Sequence, residues 1–216
     1  GIALADPAGN GYVNYVIAHA AAITAGFFMT LVLGKFMDKA PAEQVAERAS
    51  TDTEPAEPAQ VQAPQQEIFF GYAAGQMIPM EQVKDETFAN KVLGDGVAVI
   101  PETGKVYAPA DGSVISVFDT KHAICLASSY GTEILIHIGV DTVNLNGKYF
   151  EAHVKDGDLV KKGQLLISFD KAQIEKAGYD TVIPMIFTDL DDNRRMEAGA
   201  PGSIHTDRAA AVIHKV

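Results

Sequence analysis

From Ile68 to its end the chain is cut into short β-branched runs by glycine and proline, a rhythm that leaves room for little except strands joined by tight turns. The runs are "VAVI" at Val97–Ile100, "KVYA" from Lys105, "GSVISVF" from Gly112, "TEILIHIG" from Thr132, "QLLISF" from Gln164, "TVIPMIF" from Thr181 and "AAAVIH" from Ala209. Each is shorter than an ordinary helix, and together they predict an all-β fold, an antiparallel β-sandwich or barrel. Only short helical turns fit between them, near Thr87–Leu93 and Lys171–Ala177. Two stretches, "VYAPADGSVISVF" and "HVKDGDLVKKGQLLISF", each put a glycine-containing turn before an alternating strand, as a sandwich of two similar hairpin units would. A hydrophobic content of 47% is enough to give such a sandwich a core.

The N-terminal part has a different texture. From Tyr15 to Gly34, "YVIAHAAAITAGFFMTLVLG" carries no formal charge over 20 residues and then meets Lys35 and Lys39. This is the length and flank of a membrane-spanning helix whose end lies at the cytoplasmic face. The competing reading, an Ala-rich helix in a soluble core, is favoured only by His19 and Thr24. Next, Ala40–Gln66 holds four of the 10 prolines and no aromatic, Leu or Ile, so it cannot build a core and reads as a mobile linker. The expected organisation is a spanning segment in 1–39, a linker over 40–66 and a folded domain over 67–216.

A formal charge of −11 argues against a nucleic-acid partner, because affinity for phosphate backbones comes from Lys and Arg. Cys125, the single cysteine, allows no internal disulfide and belongs to no zinc spacing, which suits a reducing compartment. On a strand it reads as a small buried thiol. His19, His153, His205 and His214 have no partner pattern, the run "DLDDNRR" from Asp189 reads as a solvated turn, and "GDG" at Gly94 as a tight turn.

One strand carries a residue that packing does not ask for. In "TEILIHIG" the isoleucines 134, 136 and 138 share one face and take the core, while Glu133, Leu135, His137 and Gly139 share the other, half-exposed one. His122 lies upstream in "TKHAICLA", and the turn "SSYG" between the two runs predicts an antiparallel hairpin that brings His122 level with His137. Two adjacent imidazoles admit three roles: a zinc site, a general-base pair, or a phosphoryl-accepting nucleophile with a stabilising neighbour. Zinc lacks a third protein ligand at a suitable spacing, and no GxSxG elbow supplies a hydrolytic nucleophile. Phosphoryl acceptance asks only for a neutral, accessible nitrogen and nearby donors, for which His122 and the Thr120 hydroxyl are candidates.

The elements "GDGVA", "APADGSV", "TKHA", "LIHIGVDTV" and "VKKGQLL", in this order, closely resemble the glucose-type enzyme IIA domain of the bacterial phosphoenolpyruvate:sugar phosphotransferase system, over essentially everything after the linker. The resemblance implies a phosphotransferase that needs no cofactor or resident metal. In it His137 takes a phosphoryl group from the phosphocarrier protein HPr and passes it to a cysteine of a IIB domain, for sugar phosphorylation during transport through a IIC domain. It implies that His122 steadies the phosphohistidine and that Thr120 hydrogen-bonds beside it. By the same resemblance Asp85 and Asp141 dock basic partner side chains, within an exposed apolar patch of Phe88, Leu93, Phe118, Ile124 and Leu135. Glu86 and Thr87 stand where better-known members are apolar. With the spanning segment, the resemblance extends to the C-terminal part of a β-glucoside- or sucrose-type IIBCA permease. Residues 15–34 would then be the last IIC helix in the cell membrane, and the IIA domain would face the cytoplasm. Two alternatives stay open: a lipoyl- or biotinyl-type carrier modified at Lys171 in "DKA", and a regulatory module that binds partners according to its phosphorylation state.

Overall fold

Strand order follows from which runs can bury one face or both. The structure, a computed structural model, describes residues 65–216. β1 (Gln66–Phe70) opens at the last residue assigned to the linker, and β2 (Gly75–Pro79) follows. A 3-10 turn (Met80–Gln82) and a short helix, α1 (Glu86–Ala89), precede β3 (Asp95–Pro101), β4 (Lys105–Tyr107) and β5 (Gly112–Val117). The expected hairpin is β6 (Ala123–Ser128) and β7 (Glu133–His137). After a 3-10 turn (Thr142–Leu145) come β8 (Phe150–Ala152), β9 (Leu159–Val160), β10 (Leu165–Phe169) and the helix α2 (Lys171–Lys176). The chain closes with β11 (Ile183–Phe187), β12 (Arg194–Ala198), β13 (Gly202–Ile204) and β14 (Ala209–Lys215).

All the strand pairs are antiparallel. The largest sheet runs β13-β2-β3-β11-β7-β6-β5-β9, beside smaller sheets β1-β14-β12 and β4-β10-β8. β7 therefore lies near the middle of the large sheet, between β11 and β6. Its register places Ile136 beside Met185 on one side and Ile124 on the other, and all three are fully buried in the main core. Burying one such side chain contributes about 1.5–3 kcal/mol.

The opposite face of β7 is not half-exposed as its alternation suggested. Leu135 and His137 are also buried, at 3% and 5% exposure. Part of the cover comes from the excursion between β2 and β3, whose buried Phe88 stands against the His137 ring; Met80 and Val83 of the same excursion are buried outside the main core cluster. This lid is fixed by local chemistry. The Asp85 carboxylate caps α1 by accepting the Phe88 N–H at 3.1 Å, a cap worth about 1 kcal/mol. Lys91, held in the left-handed region at φ 55°, ties the end of the excursion to Glu81 and Asp95, each at 2.8 Å. The helix is shorter than the expected Thr87–Leu93, because Lys91 turns the chain after Asn90.

Two other expectations, on Cys125 and Lys171, are corrected. "DLDDNRR" is a turn exposed over residues 191–193, as expected, and it is tied down at its ends: Asp189 accepts the Glu133 N–H at 3.0 Å and pairs with Arg194, which begins β12. Cys125 is half-buried and pairs in register with Leu135, so it shares the face of His137 rather than the main core. Lys171 does not stand at a hairpin tip. It is the first residue of α2, with its Nζ 2.6 Å from Glu175, an arrangement unlike the exposed hairpin-tip lysine a carrier domain needs. Finally, residues 15–34 and most of the linker lie outside the described residues; among those described, no helix is long and apolar enough to cross a membrane.

Candidate functional site

His122 and His137 come together as the hairpin reading expected, though the strand register alone would not bring them there. Ala123 pairs with His137, and the Ile138 N–H donates to the His122 carbonyl at 2.7 Å. Strict alternation would then turn His122 toward the core face with Ile138. Just before it, Lys121 takes a left-handed conformation at φ 56° and ends a turn in which its N–H donates to the Phe118 carbonyl at 2.7 Å. In the structure the His122 ring nevertheless stands beside that of His137, with centroids 4.8 Å apart and planes at 82°.

Each ring is oriented by one hydrogen bond. His137 Nδ1 is 2.7 Å from the Gly139 carbonyl oxygen, which can only accept. The proton is therefore on Nδ1, and in the neutral ring the lone pair is on Nε2. His122 Nδ1 is 2.5 Å from Thr120 Oγ1. We assign the hydroxyl as donor here, which leaves the second proton of this pair on His122 Nε2. That atom is buried and meets no acceptor among the described residues. A buried N–H without an acceptor costs roughly 1–3 kcal/mol, so this one is poised for an acceptor brought by a ligand. Phe88 leans on His137 with ring centroids 5.1 Å apart, and Phe118 on His122 at 5.7 Å.

Burial sets the charge state. Desolvation lowers the His137 pKa to about 4 against an opposing pull from the Gly139 carbonyl, and lowers that of His122 to about 3 with help from the neighbouring His137. Both rings are neutral at neutral pH. Burial, which corrects the exposure expected of His137, is also what keeps its imidazole uncharged. A pH dependence follows. Unfolded imidazoles titrate near pH 6.5, so between about pH 6.5 and 4 the unfolded chain binds protons that the folded one refuses. These two groups therefore add no pH dependence above about 6.5, and they make the protein progressively less stable as pH falls toward 4. Urea unfolding at pH 7.5 and pH 5 should show this loss, and His122→Gln should reduce it.

The remaining site expectations divide. Leu93 and Phe118 are half-buried, and Phe118 lies against the His122 ring. Phe88 and Leu135 are buried, at 7% and 3% exposure, and Ile124 is fully buried in the main core, where it offers no surface to a partner. The register explains Ile124: it sits opposite Ile136, on the face away from His137. Asp141 is exposed, at φ 57°, at the start of the 3-10 turn, and Asp85 is partly buried as the cap of α1. Sequence reading gave Gly139 no role at the site. Its φ is 80°, and a Cβ there would stand 2.6 Å from the Asp180 carbonyl oxygen. A glycine two residues past a strand histidine, leading into "VDT", was the available signal.

The fold is similar to that of a solved structure, glucose permease IIA from Mycoplasma capricolum. The match has a TM-score of 0.63 and 32% identity and covers 69% of this chain and 96% of that one. Residues 67–193 match the family described as phosphoenolpyruvate-dependent sugar phosphotransferase system, EIIA 1, and the chain belongs to that family. It is accordingly a phosphotransferase component of the glucose-type EIIA class. Among its relatives, the glucose-specific EIIA component of Oceanobacillus iheyensis is 51% identical over 123 residues, which are 57% of this chain and 74% of that protein. The β-glucoside-specific EIIBCA component of Dickeya chrysanthemi is 49% identical over 138 residues, 64% of this chain and 22% of that longer protein.

Proposed function

We propose that His137 Nε2 accepts a phosphoryl group from phospho-HPr and delivers it to a cysteine of a IIB domain. The observation that carries this reading is the ring pair itself: a neutral His137 with its proton held on Nδ1 by Gly139, beside the buried, acceptor-less Nε2 of His122. In the first transfer the Nε2 lone pair attacks phosphorus as the P–N bond of the donor histidine breaks. Nδ1 keeps its proton, so His137 becomes a phosphorylated ring whose positive charge faces the Gly139 carbonyl. The His122 Nε2–H then donates to a phosphoryl oxygen, a stabilisation strongest where charge develops in transfer. In the second transfer a thiolate attacks phosphorus and Nε2 recovers its lone pair. His122 cannot replace His137 as nucleophile, since its inward-held Nδ1 accepts from Thr120 and its Nε2 carries the proton.

The same reading makes Asp85 and Asp141 docking rather than chemical residues, because carboxylates repel an incoming phosphate. Leu93 and Phe118 are the half-buried side chains that a partner would cover. The EIIBCA name of the Dickeya relative supports a chain whose residues 15–34 sit in the membrane and whose linker, 40–66, tethers the domain to its IIB acceptor. A flexible tether of that kind holds donor and acceptor at about millimolar effective concentration.

His122→Ala is the discriminating variant. It keeps the nucleophile and should still be labelled by phosphoenolpyruvate, enzyme I and HPr, while onward transfer to a IIB domain falls by about 10²-fold or more, as when one preorganised donor is removed. Undiminished sugar phosphorylation by this variant would remove His122 from the mechanism.

A further inference from the structure

We infer that Thr142 is a positioning residue: its buried hydroxyl fixes the loop carbonyl that holds His137 in the tautomer able to attack phosphorus. This rests on His137 being the phosphoryl acceptor. The loop after β7 is pinned peptide by peptide. The Ile138 N–H donates to His122 O at 2.7 Å, the Gly139 N–H to Val182 O at 2.8 Å and the Val140 N–H to Asp180 O at 3.1 Å. The Ile138 carbonyl, between the first two, accepts from Thr142 Oγ1. The Gly139 carbonyl accepts from His137 Nδ1. Of the bonds that hold the loop in place from outside, the one from Thr142 is made by a side chain and the others by backbone.

The consequence is mechanical. Gly139, at φ 80°, has the widest torsional freedom in the loop, and the direction of its carbonyl depends on how the peptides on either side are held. Val182 and Thr142 hold the two ends of the Ile138–Gly139 peptide, and Asp180 holds the N–H of the next. Thr142 is fully buried, and a Cβ at Gly139 would collide with its γ-methyl, so the side chain grips the loop by packing as well as by its hydroxyl. Without the hydroxyl the Ile138 carbonyl loses its donor in a buried place, the peptide is released to turn, and the Gly139 carbonyl moves off the His137 Nδ1 line. Any fraction of molecules with the proton on Nε2 has no lone pair there to attack with.

The test compares Thr142→Val, which keeps the branched shape and removes the O–H, with Thr142→Ser, which keeps the O–H and removes the methyl. In the full chain labelled with 15N histidine, NMR reports which nitrogen of His137 bears the proton, and phospho-HPr reports the acceptance rate. The Val variant is expected to lose the uniform Nδ1–H form and accept phosphoryl about tenfold more slowly, as small misplacements do; the Ser variant should match the parent in both. Parental tautomer and rate in the Val variant, or a Ser variant that behaves like it, would overturn the inference. Should the Val variant not fold, the Ser variant alone decides, since retention of the Nδ1–H form supports the hydroxyl and its loss refutes it. A parent chain that accepts no phosphoryl group would refute the acceptor role itself, while the tautomer comparison would still judge Thr142.

Discussion

His137→Gln is expected to abolish phosphoryl uptake while leaving the protein folded. The glutamine amide is uncharged like the imidazole it replaces, and its NH2 can donate to the Gly139 carbonyl that now takes the His137 Nδ1–H. What it lacks is a nitrogen with a lone pair available for attack. Labelling with phosphoenolpyruvate, enzyme I and HPr should therefore fall to background, whereas the urea midpoint at pH 7.5 should move little. The two readouts separate loss of chemistry from loss of fold. Because the imidazole with its depressed pKa is gone, the variant should also lose part of the acid sensitivity between about pH 6.5 and 4. Continued labelling of this variant at the parental level would show that another residue is the acceptor.

Gly139→Ala should be the most damaging small change near the site. The backbone there stands at φ 80°, which an L side chain rarely adopts, and the new Cβ would meet the Asp180 carbonyl oxygen at 2.6 Å as well as Thr142. Backbone atoms cannot swing aside as a flexible side chain can. Strain of this kind costs roughly 1–3 kcal/mol, and relief by shifting the loop would turn the carbonyl away from His137. We expect a lower thermal midpoint together with phosphoryl acceptance reduced by about 10²-fold, the scale of a misplaced catalytic group. Parental acceptance by Gly139→Ala, measured below its melting temperature, would mean that the Gly139 carbonyl does not set the reactive tautomer.

Much of the sheet was legible because it depends on local pattern. The runs at Val97, Gly112, Thr132, Gln164, Thr181 and Ala209 are strands, and the "SSYG" turn joins the hairpin that carries both histidines. What the pattern could not show was the cover over the second face of β7. The alternation of Glu133, Leu135 and His137 with isoleucines reads as one wet face, yet Phe88, from an excursion distant in sequence, stands against the His137 ring. Ile124 failed as a docking residue because resemblance carried it across without its register; its pairing with Ile136 turns it inward. His122 was placed beside His137 for an incomplete reason, since pairing brings it level with His137 but strict alternation alone would turn it to the other face. Strands as short and polar as β12 and β13 lacked the β-branched density that marks the others, and their pairing with β14 and β2 is set by tertiary contact.

On the proposed function, the tautomer assignments make His137 Nε2 the reacting atom. Gly139 accepts a hydrogen bond at one Nδ1 and, as assigned, Thr120 donates one at the other, and on the proposed reading this difference makes one ring the nucleophile and the other the donor. The most direct test is to phosphorylate the 15N-histidine-labelled chain through HPr and locate the new P–N bond by 15N and 31P NMR. The account predicts a single phosphoryl group on His137 Nε2, with the Nδ1 proton still in place. A phosphoryl group on His137 Nδ1 or on His122 would contradict it.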